Sequence, residues 1–306
     1  MTPPVVVLGP TASGKSDVAM GAARMVPGTE IVAVDAMQVY RGMDIGTAKP
    51  NAADRVAVVH HGIDLVDPTD EMSVTEFRRS VDAAMAAIDE RAGARALLVA
   101  GTGLYLTAIL DRLELPGTWP DVRAELDADP DTAAHFRRLV ALDPDAAAKV
   151  DPANRRRIVR ALEVTLGSGR PFSSFGPGVS AFPPTDAVQI GIRWSRPALA
   201  ARIERRVGVM MDRGLLDEVV AVAALGLSPT ARQALGYKEL LDHLEGAVTL
   251  AEAVAAIVVR TRQFAVRQER WFRRDPRIRW IDVDEDAADP WEPVRDRVVS
   301  ELAKLS

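Results

Sequence analysis

A short segment near the amino terminus carries the groups that proteins use to hold phosphate. The pattern G-x-x-x-x-G-K-[ST] is matched in full by Gly9, Pro10, Thr11, Ala12, Ser13, Gly14, Lys15 and Ser16. In such a loop the backbone N–H groups surround phosphate oxygens, the lysine neutralises charge and the serine hydroxyl ligates Mg²⁺. The sequence therefore predicts that residues 9–16 bind a phosphate-bearing molecule and that Ser16 is a ligand of Mg²⁺.

The motif alone leaves the chemistry open. Hydrolysis of ATP or GTP, and phosphoryl transfer, normally require a carboxylate at the end of a neighbouring strand. The best candidate strand, "LLVAGTG", ends in Gly101-Thr102 and has no acid there. The same loop can instead hold a diphosphate that leaves as a carbon–oxygen bond breaks. Residues 9–16 are thus compatible with ATP binding by a kinase or with a transferase that releases diphosphate.

Apolar runs alternate with helical patterns around this loop. Strands are predicted at Val5–Leu8, at "EIVAVD" ending in Asp35, at "RALLVAGTG" and at "AVQIGIRW". A helix is predicted over 16–25, and the capping box "SVTE" at 73–76 opens another that reaches about residue 91. This alternation predicts an α/β fold of the P-loop NTPase type, a parallel sheet flanked by helices with ligands at the carboxyl ends of its strands.

The character of the chain changes near residue 116. Strand-like runs disappear, Asp-Pro pairs recur and short helical patterns follow, which predicts an all-helical insertion domain over 116–182. The core domain then comprises 1–115 and 183–306. Its later part is predicted to hold helices over 197–211, 215–225 and 250–272, a last strand at "RIRWIDV", and a final helix capped by Asp289 with Pro290 at its first position.

Composition narrows the functional classes. The 306 residues include no cysteine, which excludes disulfides, thiolate nucleophiles and cysteine-based zinc sites. No signal peptide and no apolar run long enough to span a bilayer is found, so we expect a cytoplasmic protein, without membrane contact, that acts as a monomer. The net charge of −5 argues against a surface coated in nucleic acid, but a local basic stripe is still compatible with RNA binding.

The stretch "AVDAMQVYRGMDIGTAKP", residues 33–50, follows the second predicted strand. Together with the phosphate loop it closely resembles the tRNA dimethylallyltransferases, whose pattern is D-S-x-Q-x-Y-x-G-x-D-I-G-T-A-K-P. Ala36 stands where that family usually has serine. Six further blocks match in order, among them "GTGLYL", "RRRIVRALEV", "ARQALGYKE" and "RTRQFAVRQERWFR".

The resemblance implies a reaction. The family transfers a dimethylallyl group from dimethylallyl diphosphate to the exocyclic amine (N6) of the adenosine immediately 3′ of the anticodon, in tRNAs that read codons starting with U, and diphosphate is released. Its partners are therefore the tRNA anticodon stem-loop and dimethylallyl diphosphate, and its cofactor is Mg²⁺. Enzymes that modify a base must take it out of the stack, so we expect a passage through the sheet domain that the base and the diphosphate enter from opposite sides.

Candidate site residues follow partly from chemistry and partly from the resemblance. A carboxylate at a strand end suits a general base for the amine, which is the role predicted for Asp35; a helix cap or a metal-water ligand is the alternative. The amide of Gln38 has the donor and acceptor that read an adenine edge, unless it is a solvated loop residue. The resemblance implies catalytic roles for Thr11 and Arg206, diphosphate binding by Arg202 and Arg206, and tRNA contacts by Asp35, Ala36, Met37, Gln38, Thr102, Arg123, Arg156, Arg157, Arg160, Arg232, Gln233, Arg262, Gln263 and Arg267.

Two arginine-rich segments support an RNA partner. "RRRIVR" at 155–160 and the stretch 260–279 concentrate positive charge in an otherwise acidic chain, although exposed arginine rows also occur as ordinary solvated surface. Three rival functions stay open: an adenylate isopentenyltransferase that acts on free nucleotide, a small-molecule kinase whose insertion is a lid, and an RNA-binding regulator with a vestigial loop.

Overall fold

The structure, a computed structural model, describes residues 2–176 and 178–305. Within them, six parallel strands form one sheet in the order β3-β2-β4-β1-β5-β6. The strands are β1 (Val5–Leu8), β2 (Thr29–Val34), β3 (His60–His61), β4 (Arg95–Ala100), β5 (Val188–Arg193) and β6 (Arg279–Asp282). The predicted parallel sheet flanked by helices is confirmed; the two-residue β3 is too short to have given a periodic signal.

Alternation along β1 divides its side chains between two cores. Val6 and Leu8 pack into one apolar cluster, and Val5 and Val7 pack into the cluster on the opposite face. All four are almost completely buried. Successive side chains of a strand point to opposite faces, so a continuous apolar run is the pattern of a central strand covered on both sides.

Helices cover both faces of the sheet and build the insertion. They are α1 (Lys15–Met25), α2 (Ala52–Ala57), α3 (Val74–Asp89), α4 (Gly103–Leu110), α5 (Pro120–Ala128), α6 (Thr132–Leu142), α7 (Pro144–Ala147), α8 (Arg155–Ser168), α9 (Arg196–Asp212), α10 (Leu215–Ala223), α11 (Pro229–Arg232), α12 (Tyr237–Leu244), α13 (Leu250–Phe272) and α14 (Glu292–Ala303). A 3₁₀ turn lies at Phe172–Ser174.

The predicted start of α3 is confirmed, whereas that of α14 is not. The capping box before α3 is confirmed, because the Ser73 hydroxyl accepts from the backbone N–H of Glu76 and the Glu76 carboxylate accepts from that of Ser73. The start predicted for the last helix is wrong: α14 begins at Glu292, not at Pro290. The Asp289 carboxylate instead accepts from the backbone N–H of Trp291 and pairs with Arg295, so it stabilises the turn that precedes the helix.

The described chain separates into two compact units, residues 1–110 with 184–306 and residues 111–183. The second unit has its own apolar core, in which Leu126 of α5, Leu139 of α6 and Leu162 of α8 are buried together. Asn154 caps α8 by accepting from the backbone N–H of Arg157. The composition-based boundaries at 116 and 182 fall inside this unit.

Across residues 2–176 and 178–305, no helix combines the length and the apolarity that crossing a bilayer requires.

Candidate active site

The carboxyl ends of three neighbouring strands bring the predicted motifs together. The phosphate loop follows β1, Asp35 follows β2 and Gly101-Thr102 follows β4, and β4 lies between β1 and β2 in the sheet. The backbone N–H of Ala36 donates to Thr102 Oγ1 at 3.1 Å, which ties the ends of β2 and β4 to each other. Segments far apart in the sequence thus form one edge, where parallel sheets bind ligands.

The phosphate loop has the tight conformation that its sequence predicts. Gly14 has φ 92° and is the residue from which α1 starts, a left-handed conformation that costs glycine little. A Cβ at this position would lie 2.0 Å from Trp291 Nε1, so glycine also permits close packing. The Lys15 ammonium donates to the carbonyl of Pro10 at 2.8 Å and folds back over the loop.

Two tryptophans and an arginine brace the loop through its carbonyl groups. The carbonyl of Ser13 accepts from Trp194 Nε1 at 2.9 Å and from Trp291 Nε1 at 3.1 Å. Arg202 Nε donates to the carbonyl of Ala12 at 2.8 Å, and its guanidinium lies over both indole rings. Since the loop carbonyls are bound on this side, the loop keeps one fixed shape. Arg202, predicted to bind diphosphate, therefore also supports the loop mechanically.

Gln268 of α13 links the phosphate loop to the end of β4. Its side chain is buried, its Oε1 accepts from the backbone N–H of Thr11 at 2.8 Å, and its Nε2 donates to the carbonyl of Gly101 at 2.7 Å. The backbone N–H of Thr11 is thereby occupied, while the Thr11 residue lines the cavity beside Asp35. The sequence analysis did not name Gln268 as a residue of the site, although it named the neighbouring Arg267.

Three charged side chains meet in this edge. The pKa of the Lys15 ammonium is lowered to about 7, because burial and then the nearby Arg206 lower it by more than Asp35 raises it. Desolvation also lowers the pKa of Arg206, which Asp35 and Asp17 oppose. Positive charge therefore accumulates where the motif predicts phosphate, and it is under-compensated by the protein itself. Such an arrangement favours an anionic ligand.

Asp35 is held by the turn that follows β2. Its Oδ1 accepts from the backbone N–H groups of Met37 at 2.8 Å and Gln38 at 3.3 Å. Its Oδ2 lies 3.2 Å from the position that a Cβ on Gly101 would take, and Lys15 Cε lies 3.8 Å from the same point. One carboxylate oxygen thus fixes the orientation, which leaves Oδ2 as the oxygen able to meet a substrate proton.

The Gln38 amide is oriented by the segment that follows it. Its Nε2 donates to the carbonyl of Thr47 at 3.0 Å and to that of Ala48 at 3.3 Å. The reverse orientation would set its oxygen against two carbonyl oxygens, so the observed one is fixed by the hydrogen-bond pattern. Only Oε1 is left for a substrate, as an acceptor. The Gln38 amide can therefore accept a hydrogen bond from a base, but its NH₂ group is already bound and does not also donate to the same edge, although the sequence predicts both roles.

Two cavities open at the site. One of about 710 Å³ lies along the phosphate loop and α9, and the other, of about 440 Å³, lies between Asp35 and α13. Both cavities have Lys15, Ser16, Gln38 and Arg206 in their walls. Both cavities therefore reach the phosphate loop, and the smaller one also reaches Asp35. The passage that base and diphosphate enter from opposite sides stays a prediction.

The predicted RNA contacts of this unit fall into two groups. The 440 Å³ cavity is lined by Ala36, Met37, Gln38, Thr102, Gln233 and Arg267. Outside it, Arg232 pairs with Glu245 and Arg262 pairs with Glu204, while Gln263 is exposed on α13. The structure thus brings the first group to the predicted catalytic carboxylate and leaves Arg232, Arg262 and Gln263 on the surface.

The arginines of the insertion unit differ in how far they are committed to protein contacts. Arg160 pairs with Glu163 and donates to the carbonyls of Pro116 and Gly117. Arg123 pairs with Glu163 and with Asp127. Arg156 and Arg157 are exposed. Of the RNA contacts predicted here, Arg156 and Arg157 therefore have the accessible positive charge, whereas Arg123 and Arg160 stabilise the unit.

The donor set fits Mg²⁺ that is shared with a phosphate ligand. Among residues 2–176 and 178–305 no group of three or more His, Cys, Asp or Glu side chains is placed to hold a metal ion. Mg²⁺ commonly takes few protein oxygens and completes its octahedral shell with phosphate oxygens and water. Ser16, predicted to be a ligand of Mg²⁺, has an exposed hydroxyl at the start of α1, which fits a site with a single protein oxygen.

Comparison with known proteins identifies the family. The model of the "IPP transferase" family matches residues 38–275. The chain is 49% identical over 287 residues to the tRNA dimethylallyltransferase of Pseudarthrobacter chlorophenolicus, covering 92% of this chain and 94% of that one. It is 45% identical over 307 residues to the tRNA dimethylallyltransferase of a Nocardioides species, covering 99% and 96%.

Solved structures give the same result. The chain resembles the tRNA isopentenylpyrophosphate transferase of Bacillus halodurans, with a TM-score of 0.70, 35% identity and coverage of 100% of this chain and 98% of that one. It also resembles a eukaryotic dimethylallyltransferase acting on tRNA, with a TM-score of 0.77, 26% identity and coverage of 92% and 74%. The chain belongs to the IPP transferase family.

Proposed function

We propose that this protein is a tRNA dimethylallyltransferase. It transfers the dimethylallyl group of dimethylallyl diphosphate to N6 of the adenosine immediately 3′ of the anticodon, in tRNAs that read codons starting with U, and releases diphosphate. The observation that supports this most is the pair of cavities with common walls, one along the phosphate loop and one at Asp35. A transferase needs its leaving group on one side of the reacting carbon and its nucleophile on the other.

The phosphate side stabilises the leaving group. The larger cavity, where the diphosphate would bind, is lined by Ala12 and Gly14 of the loop, by Lys15 and Ser16 at the start of α1, and by Arg206. As the bond between the allylic carbon and oxygen breaks, its electron pair passes to the diphosphate. Preorganised positive charge stabilises the negative charge that develops there, and little reorganisation is needed at the moment of reaction.

The acceptor side handles the proton of the amine. As the N6 nitrogen bonds to the allylic carbon, one of its protons passes to Asp35 Oδ2, and Gln38 Oε1 accepts a hydrogen bond from the other. Both groups are acceptors in the geometry described above, which suits an amine and disfavours the carbonyl oxygen that guanine carries at the same position. The apolar wall residues Ile203, Val207 and Leu215 give the dimethylallyl group a water-poor surface.

Mg²⁺ bound by Ser16 and the diphosphate would neutralise charge on the leaving group. RNA would be held by the exposed arginines of the insertion unit and by Arg267 beside the cavity. Because one chain supplies the walls of both cavities, we propose that the monomer is active, in the cytoplasm where tRNA is found.

The test is a transfer assay with two possible acceptors and a control without acceptor. Purified protein is incubated with radiolabelled dimethylallyl diphosphate and Mg²⁺, and either an unmodified anticodon stem-loop, AMP or no acceptor is added. We expect label to enter the stem-loop and not AMP. Label in AMP alone would favour the adenylate isopentenyltransferase. In a parallel incubation that also contains ATP, cleavage of ATP with no labelled adenosine would favour a kinase.

The role of Asp35 is tested in the same assay. Asp35→Asn keeps the shape of the side chain and removes its basicity, so we expect kcat to fall by about 10²–10⁴-fold while stem-loop binding persists. Asp70→Asn is the matched control, since Asp70 is an exposed carboxylate away from both cavities. Full activity of Asp35→Asn would exclude a general base at this position. Stem-loop binding by the wild-type protein without any transfer is the outcome expected of an RNA-binding regulator.

A further inference from the structure

The segment from Asp44 to Ala48 is fixed by one carboxylate of a distant helix. Glu218 of α10 accepts three consecutive backbone N–H groups of that segment: Asp44 at 2.9 Å, Ile45 at 2.7 Å and Gly46 at 3.0 Å. Three converging N–H groups form a concavity that binds an anion, and here the anion is a side chain. We call residues 44–48 the acceptor loop.

Tyr237 completes this contact from a second helix. Its hydroxyl donates to the same Glu218 carboxylate, and its side chain is fully buried. Burial, and then the neighbouring Glu218, raise the pKa of the Tyr237 hydroxyl, so it stays protonated and remains a donor. A Cβ at Gly46 would lie 2.4 Å from the Tyr237 ring, which means that the ring and the acceptor loop are in direct contact.

The other end of the acceptor loop orients Gln38. The carbonyls of Thr47 and Ala48 take both N–H groups of the Gln38 amide, so the position of these carbonyls decides which atom of the amide is left for a substrate. Gly46, Thr47, Ala48 and Gln38 all line the 440 Å³ cavity, whereas Glu218 and Tyr237 do not. Glu218 and Tyr237 therefore do not touch the cavity themselves, and the acceptor loop that they contact is one of its walls.

We propose that Glu218 and Tyr237 are positioning residues that set the base selectivity of the acceptor site. By holding the acceptor loop they keep Gln38 Oε1 turned toward the amine of the target base, so that a base without a donor at that position is bound less well. This inference rests on the proposed transfer to an adenine amine and deepens it. It assigns a functional role to two residues outside the cavity.

The central variant is Glu218→Gln, which keeps the volume of the side chain and removes its charge. Its amide can accept at one atom only, and its NH₂ group faces N–H donors that it cannot satisfy. Lys49 keeps its separate hydrogen bonds to Tyr40, Asp44 and Asp64, so the start of the loop stays anchored. The matched control is Asp217→Asn, an exposed carboxylate one residue earlier on α10.

Two measurements separate positioning from simple structural support. The first is kcat and KM for each substrate. The second is the ratio of binding constants for two stem-loops, one with adenosine and one with purine riboside, which lacks the amine, at the target position. For Glu218→Gln we expect kcat/KM for the stem-loop and the binding ratio each to fall by about tenfold, the upper end of the range for losing a hydrogen bond between neutral groups such as Gln38 Oε1 and the amine. KM for dimethylallyl diphosphate stays within about twofold.

A double-mutant cycle tests the route through Gln38. If Glu218 acts through that amide, adding Glu218→Gln to Gln38→Ala changes the binding ratio by less than about twofold, because the interaction is already lost. An equal fall in both backgrounds would overturn the proposal. So would a change in melting temperature with an unaltered binding ratio.

Tyr237→Phe is the second variant, and it tests the positioning role if Glu218→Gln does not fold. It removes one of the four donors to Glu218 and keeps the ring against Gly46, and we expect a fall in the same ratio of about threefold. An unchanged ratio in this variant, with wild-type protein active, overturns the positioning role. Failure of the wild-type protein to modify the stem-loop would instead overturn the proposed function.

Discussion

The ammonium group of Lys15 should make phosphate binding unusually sensitive to pH. Its pKa in the ligand-free protein is about 7, against an ordinary value of 10.5, because of burial and the neighbouring Arg206. A bound diphosphate brings negative charge and raises that pKa again, so binding takes up a proton once the pH exceeds 7. The affinity for diphosphate must therefore fall as the pH rises. Deprotonation of the diphosphate itself acts in the opposite direction, because it makes the ligand more negative at higher pH.

The magnitude follows from the pKa. At pH 9 about 1% of a group with a pKa of 7 is protonated, so the binding constant for diphosphate falls by about 100-fold between pH 6 and pH 9, or about 2.7 kcal/mol. The assay is calorimetric titration with inorganic diphosphate and no divalent metal, in two buffers of different ionisation enthalpy, which also counts the protons taken up. We expect about one proton per diphosphate near pH 8.

Lys15→Arg provides the reference for this titration. Arginine stays charged throughout this range, so its pH profile reports only the titration of the diphosphate itself. Arg206→Gln removes the positive neighbour that lowers the pKa of Lys15. The diphosphate affinity of this variant should therefore fall at a higher pH than that of the wild type. Identical pH profiles for the wild type and Lys15→Arg, after correction for the ligand, would refute a lysine with a lowered pKa.

Three other predictions follow from contacts in the two units. Gln268→Leu leaves two buried backbone groups without their partner, at about 1–3 kcal/mol each, and should lower both the melting temperature and the diphosphate affinity; unchanged affinity would limit Gln268 to a structural role. Arg157→Gln should reduce the slope of log binding constant for the stem-loop against log salt by about 0.7–0.9, whereas Arg160→Gln should mainly lower the melting temperature; equal slopes would contradict this division. His61 and Arg91 hold the pKa of Glu30 below its usual value, so its stabilising contribution is present above about pH 4.5 and is lost as the pH falls through the folded pKa. Unfolding of Glu30→Gln and wild type should therefore differ at pH 6 and converge in acid, and a constant difference would exclude this origin.

Local sequence patterns predicted the strands of the sheet, the phosphate loop and the position of Asp35, because each of these features is encoded within a few consecutive residues. The apolar run Val5–Leu8, the glycine loop after it and the strand that ends at Asp35 follow one another in the sequence, and parallel pairing then brings their ends together. The capping box before α3 is equally local. The predicted start of α14 was wrong because two prolines, Pro290 and Pro293, follow each other closely and either one fits the first turn of a helix.

The supporting contacts had no such signal. Trp194, Trp291 and Gln268 reach the phosphate loop across more than 180 residues, and each is an ordinary residue in its own local pattern. The arginine row at 155–160 gave the charge of α8 but not its partners, since Glu163 lies beyond the row and its contacts depend on which way the helix faces. Tertiary packing decided these roles, and a single sequence does not report packing.

The phosphate loop of this chain is therefore not a self-contained motif. Its carbonyls are bound by Trp194 after β5, by Arg202 on α9 and by Trp291 before α14, and one of its N–H groups is bound by Gln268 on α13. Every brace comes from the half of the chain that follows the insertion, so the loop acquires its final shape only when that half has docked. Because α13 also carries the exposed Arg267 beside the cavity, the helix that touches the phosphate loop is the one on which RNA is proposed to lie. If the proposed function holds, the two substrates would meet one continuous helix, and a shift of that helix would reach the phosphate loop through the hydrogen bond between Gln268 and Thr11.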